Sequence, residues 1–379
     1  MLLEKQIRIL VFKIDNATFE NIGEINQFDS LIWPDKFNGY ASFELWAPIT
    51  DENSEYLKQG NVLWCGGDNA AVIEIIKSSV DDNGVKTFNV KGRTLEVLLT
   101  TRIIWGTYVA SNQYASDIMY NIVDKNCIST SNSNRKIPYL ECSEDDTQCG
   151  NIITIQKTGG EVYETLSSIA SDSDIGFNIL FRPKEKRLIF EVVSGADRTE
   201  TSPYPIVFST DLEDILTSSY YTNNQDKKTV ALVMGEDKDT NRKKEISGIL
   251  SGSGFDRREL YVDARDVQSE IRNDDGSSSI MTDEEYKKAL IMRGDEKLAL
   301  CKTTETFEAK IRVFGESQYE FGKDYYKGDK VTVIDKQLNV SVSARITEVE
   351  EDFGDKYELL LTFGYSYPTI MQKVKNQIL

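Results

Sequence analysis

Cys142 and Cys149 flank the acidic run Ser143–Gln148, and no other spacing in this chain comes as near to a metal site. A structural zinc takes four ligands from cysteine, histidine and carboxylate. Cys127 alone cannot complete the set, and Cys65 and Cys301 are scattered far along the sequence. There is no histidine at all. That excludes Ser-His-Asp and Cys-His nucleophilic catalysis and every His-ligated metal centre. Five cysteines, an odd number in a long chain, do not make a disulfide framework. The expectation is free thiols at Cys127, Cys142 and Cys149, with no metal, no cofactor and no catalytic residue.

Other candidates for chemistry are weaker. Paired carboxylates suffice for a glycosidase, yet among 62 Asp and Glu residues such pairs occur everywhere and single out nothing. Gly92-Arg93 could seat a phosphate where a strand meets a helix. A lone glycine without a Gly-rich loop reads instead as a structural turn. Arg257-Arg258, beside Asp256 and Glu259, reads equally as an interface clamp or as solvated salt bridges. Trp33, Trp46, Trp64 and Trp105 lie in or beside β segments and are expected in the core rather than as a sugar platform.

The elements that must carry these residues are mostly strands. Phe43, Leu45 and Ala47 alternate with Ser42, Glu44 and Trp46, the period of a strand with one buried face. Ala71–Val80 and Lys86–Val90 form a hairpin across Asp81-Asp82-Asn83-Gly84, whose Asn-Gly favours a tight turn. Beyond Gly92 the period changes, and Leu95, Leu98, Leu99 and Arg102 predict a short amphipathic helix. Helices are also predicted over Tyr114–Asn126 and Glu161–Ser173. The second of these places Val162, Leu166, Ile169 and Ala170 on one face. Phe177–Arg182 and Arg187–Val193 make a second hairpin. Thr282 and Glu285 have capping-box spacing and open a helix through Leu300 that bends near Arg293-Gly294. Thr306–Val313, Lys330–Asp335, Ser341–Glu350 and Lys356–Gly364 complete an antiparallel meander.

Two linked blocks are the most distinctive sequence in the chain. They are Ile22–Pro48, with its GEI, SLIW and NGY-x-x-FEL elements, and Lys91–Trp105, which begins KGRTLE. Arg135–Leu140, Val207–Thr210, Gly254–Val267, Met281–Leu290 with Arg293-Gly294, and Tyr325–Ile334 follow in order. The ordered set covers nearly the whole chain and resembles the siphovirus ReqiPepy-type tail protein family. The resemblance implies a non-enzymatic virion component of the tail tip, similar to the central hub of phage baseplates. It implies a homotrimeric ring that continues the tail tube. The tube or distal tail protein, the tape measure and fibre or adhesin proteins would be its partners, with DNA only as transiting cargo.

Composition is compatible with that reading. At 40% hydrophobic residues the chain is globular, and its length allows several cores. The net charge of −18 repels duplex DNA and argues against a DNA-binding module. In a ring, acidic clusters such as Asp51-Glu52, Glu144–Asp146 and Glu348–Asp352 could line the bore, or they could simply keep the subunit soluble. No apolar run reaches the length of a membrane span, and Met1–Asp15 reads as a first strand rather than a signal peptide. Assembly in the host cytoplasm is therefore expected, and the resemblance implies residence at the tail tip.

The fold class expected is α+β and β-rich. Residues 1–100 form a β-barrel-like hub domain, 101–200 an α+β insert, and 201–379 a second β-rich hub domain with a helical insertion near 265–303. Two functions from other classes stay open. A receptor- or carbohydrate-binding tail module predicts an exposed aromatic groove, and a cell-wall hydrolase predicts two carboxylates converging in a cleft.

Overall fold

The computed structural model describes residues 7–145, 147–236, 242–272, 278–301, 303–311, 318–338 and 340–364. Seven strands come first: β1 (Ile9–Ile14), β2 (Phe19–Ile25), β3 (Ser30–Lys36), β4 (Ser42–Pro48), β5 (Val62–Trp64), β6 (Ala70–Val80) and β7 (Lys86–Thr94). The 81–84 turn joins β6 to β7 as the Asn-Gly signal requires, with Val80 opposite Lys86. The Asp81 carboxylate closes it by accepting the amides of Asn83 and Val85 at 2.9 and 2.8 Å. Phe43, Leu45 and Ala47 of β4 are buried, as the alternation predicts.

Gly92 corrects the sequence reading. It is no turn, because β7 continues through it to Thr94. A Cβ there would meet the Val72 carbonyl oxygen at 1.8 Å, so the glycine lets β6 cross close by. The helix expected next is a 3-10 turn over Leu95–Thr101 that buries Leu95 and Leu99.

The middle of the chain supplies α2 (Ala115–Val123) and α3 (Val162–Ser173), which follow the one-turn α1 (Asp51–Tyr56). Its strands are β8 (Thr107–Tyr114), β9 (Leu140–Cys142), β10 (Ile152–Thr158), β11 (Gly176–Arg182) and β12 (Arg187–Val193). Strands β8 and β10 pair, and β9 joins the β11–β12 hairpin. Ile118, Met119 and Ile122 of α2 and Leu166, Ile169 and Ala170 of α3 are buried in one core with β11 and β12. That core also takes Phe12 and Phe19 from the first hairpin, whose rings meet Phe181 at 5.0 and 5.5 Å. This explains the unbroken apolar run at Ile9–Phe12. Ile9 and Val11 face one core and Phe12 the other, so both faces of β1 are covered.

The remaining strands are β13 (Asp197–Arg198), β14 (Val207–Ser209), β15 (Ile215–Asn223), β16 (Val230–Met234), β17 (Lys244–Gly248), β18 (Glu259–Asp263), β19 (Glu270–Arg272), β20 (Ser278–Ile280), β21 (Thr304–Ile311), β22 (Lys330–Asp335), β23 (Val340–Phe353) and β24 (Tyr357–Gly364). Strands β16–β18 form a separate small sheet under α4 (Asp283–Ala299). The capping box at Thr282 and Glu285 is present. Helix α4 runs on through Arg293-Gly294, where a Cβ on Gly294 would meet Ser247 Oγ at 2.2 Å. Gly294 permits this close approach of helix to sheet.

One fourteen-stranded sheet ties the two ends of the chain together. Its main path is β15-β21-β24-β23-β3-β4-β7-β6-β5-β1-β2, with β22 branching from β23 and carrying β13 and β14. The path is open, ending on β15 and β2 rather than closing on itself. Strand β23 makes the junction. Its first half pairs with β22, while its second half lies between β24 and β3, with Glu348 opposite Lys36 and Phe353 opposite Leu31. The two sides of the junction keep separate cores, one around Leu31, Phe43 and Val90 and the other around Phe208, Phe307 and Phe363.

Phe37, just past β3, locks the middle region onto this junction. Its amide donates to Thr347 O at 2.9 Å, and its carbonyl accepts the Phe177 amide at 3.0 Å. A Cβ on Gly328 would come within 2.5 Å of the Phe37 ring, and one on Gly176 within 2.2 Å of its carbonyl oxygen. Over the ring, at 4.7 Å, lies the Arg345 guanidinium, which also pairs with Asp174 at 2.8 Å. Phe37→Ala should cost about 3–5 kcal/mol, as for other buried aromatic truncations. Urea unfolding followed by tryptophan fluorescence would measure it.

Candidate interaction face on the large sheet

The alternation that buries Val349 and Phe353 of β23 points Glu348, Glu350 and Asp352 to the other face. Register flanks this row with a mixed set of residues, of which Thr362 and Pro34 are buried. On β24, Thr362, Leu360 and Glu358 stand opposite the three acids, and on β3 their partners are Lys36, Pro34 and Ile32. Beyond β24, β21 adds Glu308 and Lys310. Beyond β3, β4 adds Glu44 and β7 adds Lys91. Charged residues thus lie on both sides of the junction, with Pro34 and Ile32 between them.

Its two sides differ in electrostatics. Around β4 each acid is matched. Glu44 meets Lys91 at 2.9 Å and Asn89 at 2.6 Å, and Glu74 takes both ends of the Arg93 guanidinium. Burial works against Glu44, but the bonds from Lys91 and Asn89 hold its carboxyl below the ordinary range. Around β23 the acids outnumber the cations. Lys36 reaches Glu348 at 3.4 Å and Lys310 pairs with Glu358. Glu350 is pushed above the ordinary carboxylate range by burial first, then by Glu348, Asp352 and Glu308. Burial also raises Glu348, against the pull of Lys36, and it raises Asp352 with help from Glu358.

The other residues singled out by sequence do not assemble into a site. The five cysteines are separate free thiols. Burial pushes Cys127 up to about 12 and Cys142 up to about 11, so neither holds the thiolate that nucleophilic or metal chemistry needs. Among the described residues, no group of three or more Cys, Asp and Glu is arranged to hold a metal ion. Arg93, the phosphate candidate, is committed to Glu74 and lies 4.8 Å over the Tyr40 ring. Arg257 pairs with Glu259 at 2.6 Å and Arg258 donates to the Asn224 carbonyl, so the two arginines serve separate local contacts.

Only Trp33 of the four tryptophans is fully in the core. Trp64 is half-buried, Trp46 is bound to Glu44 through its indole N–H, and Trp105 is 70% exposed. Trp46, 39% exposed, and Trp105 therefore correct the core expectation. Trp105 lies on the loop before Gly106, with the Arg135 guanidinium 4.8 Å over its ring. Among the described residues, no helix is long and apolar enough to cross a membrane.

This two-ended sheet with a helical insert is the fold of phage tail proteins. A tail protein from Neisseria meningitidis MC58 aligns with a TM-score of 0.53 at 12% identity, covering 95% of this chain and 97% of that one. The 43 kDa tail protein of prophage MuSo2 from Shewanella oneidensis gives 0.52 at 12% identity, over 94% and 97%. Prophage tail protein gp18 from Listeria monocytogenes EGD-e gives 0.51 at 12% identity, over 98% of each chain. No curated protein matches the sequence. Residues 8–365 match the family described as Siphovirus ReqiPepy6 Gp37-like protein, and the chain belongs to that family. It is a structural component of a phage tail.

The crowding on β23 predicts a pH dependence. A carboxyl whose value is raised in the fold binds its proton more readily when native than when unfolded. Such a group costs stability at neutral pH, and the cost fades as pH falls through the raised value. Glu350→Gln should therefore stabilise the protein at pH 7 by up to about 1 kcal/mol, the size of a like-charge cross-strand term. The gain over the parent should shrink toward zero in mild acid, as followed by thermal unfolding across pH.

Proposed function

We propose that this chain is the hub subunit of the tail tip, forming a homotrimeric ring that continues the tail tube. In this reading residues 1–100 and 201–379 supply two barrel-like units per subunit, and 101–200 form the insert that docks outer components. Three copies would then offer six such units to a sixfold tube. The observation that carries the proposal is the single sheet that joins both β cores, with the row of carboxylates on β23 at the junction. A subunit with two β cores side by side, open at β2 on one end and β15 on the other, is suited to head-to-tail contacts that close by rotation.

The surplus of acids on β23 supports turning this face toward the bore, where repulsion of phosphate prevents cargo from sticking. The mechanism is docking and channel gating, with no bond chemistry. The tube or distal tail protein, tape measure and fibre or adhesin proteins are the proposed partners, and DNA passes through without being held. Assembly in the host cytoplasm precedes residence at the tail tip.

Native mass measurement and negative-stain imaging of the purified protein, with and without the neighbouring tail proteins, test the ring. A threefold ring is expected. A monomer that persists after those proteins are added would sink the proposal and favour a carbohydrate-binding module built around exposed aromatics such as Trp105. In assembled phage, replacing Glu348, Glu350 and Asp352 with their amides should slow DNA ejection. Unchanged ejection kinetics would remove the bore assignment for this face.

A further inference from the structure

A second polar cluster lies where the three parts of the chain meet. Lys327 precedes β22, and its side chain is 12% exposed. Its ammonium reaches Asp35 Oδ1 on β3 at 2.6 Å and Asn178 Oδ1 on β11 at 2.7 Å. The Asn178 Nδ2 donates to Glu191 Oε1 on β12 at 3.0 Å. An ammonium only donates and a carboxylate only accepts, so these two partners fix the orientation of the amide. A second carboxyl, Glu96, is buried close by. It accepts from Thr94 Oγ1 at 2.5 Å and from the amide of Ile179, the residue after Asn178, at 2.9 Å.

We propose that Lys327 and Asn178 are the two halves of an intramolecular isopeptide bond that welds the C-terminal strands to the insert. The parts that this condensation needs are all present. The nucleophile is preplaced, because a nitrogen 2.7 Å from Oδ1 lies no more than about 4 Å from Cγ, one carbonyl length further on. That is close to the ~3–3.5 Å of a near-attack contact. Asp35 touches the nitrogen and is positioned as the base. Glu191 holds the leaving nitrogen.

The step balances without an outside reactant. The Lys327 ammonium gives a proton to the Asp35 carboxylate, and the neutral Nζ attacks Asn178 Cγ. The Nζ–Cγ bond forms, and the carbonyl oxygen becomes the tetrahedral alkoxide. A second Nζ proton passes to Nδ2, the Cγ–Nδ2 bond breaks, and ammonia leaves. Ammonia then recovers the proton from Asp35. The net change is lysine ammonium plus carboxamide giving a secondary amide plus ammonium ion. Burial pushes the Glu96 carboxyl up, against the opposing charge of Lys327.

The proposal is independent of the ring and is read on the purified full chain by intact mass and tryptic mapping. The expected result is a mass one ammonia below the sequence mass, with a branched peptide joining Lys327 to Asn178 and no cleavage after Lys327. Asn178→Asp should lose one water instead of one ammonia, while Asp35→Asn should keep the full mass. A folded parent chain at full mass that is cut after Lys327 overturns the proposal. So does ammonia loss located at an unbranched asparagine imide.

Discussion

The pairing of β3 with β23 is the constraint on which the rest of the molecule depends. It places Leu31 against Phe353, residues from nearly opposite ends of the chain, and makes one sheet of two β regions that otherwise have separate cores. Phe37 extends the constraint to the insert, since its two backbone hydrogen bonds go to β23 and to the start of β11. Glycines at 176 and 328 permit that approach because a Cβ at either would strike Phe37. A joint closed by backbone contact and a buried ring tolerates little change in the angle between its parts. The charged residues on both sides of the junction are therefore held on one surface rather than on two that slide.

Local chemistry was legible in the sequence wherever a single element decided the outcome. The β4 alternation, the Asn-Gly hairpin, the α3 stripe and the Thr282 capping box each follow from a few neighbouring residues. What escaped was long-range. Gly92 looks like a turn residue until the backbone of β6 is placed against it, and Trp105 looks like a core residue until its loop is seen to leave the sheet. Met1–Asp15 reads as a strand, but that both faces of Ile9–Phe12 are covered escaped, because the second layer lies more than a hundred residues away.

The face on β23 was half legible. The Glu348–Asp352 cluster was recognisable as acidic, and strand periodicity implies that Glu348, Glu350 and Asp352 share a side. Sequence could not reveal that β21 and β24 would bring Glu308 and Glu358 to the same surface, because that requires register. The electrostatic difference between the two halves comes from the same source. Lys91 and Asn89 reach Glu44 across paired strands, whereas Glu350 faces Pro34 and Leu360, neither of which can neutralise it.

The partner switch within β23 has a consequence for biosynthesis. Strand β3 and its neighbours leave the ribosome about three hundred residues before the strand that covers the far edge of β3. Until then β3 presents unpaired backbone groups, the kind of edge that recruits other chains. Such distant pairing also slows closure, because the intervening loop must first be gathered in. The middle of the chain can meanwhile collapse around Phe12, Phe19 and Phe181. The nascent protein would thus wait in a half-built state, one edge exposed, for the arrival of β23.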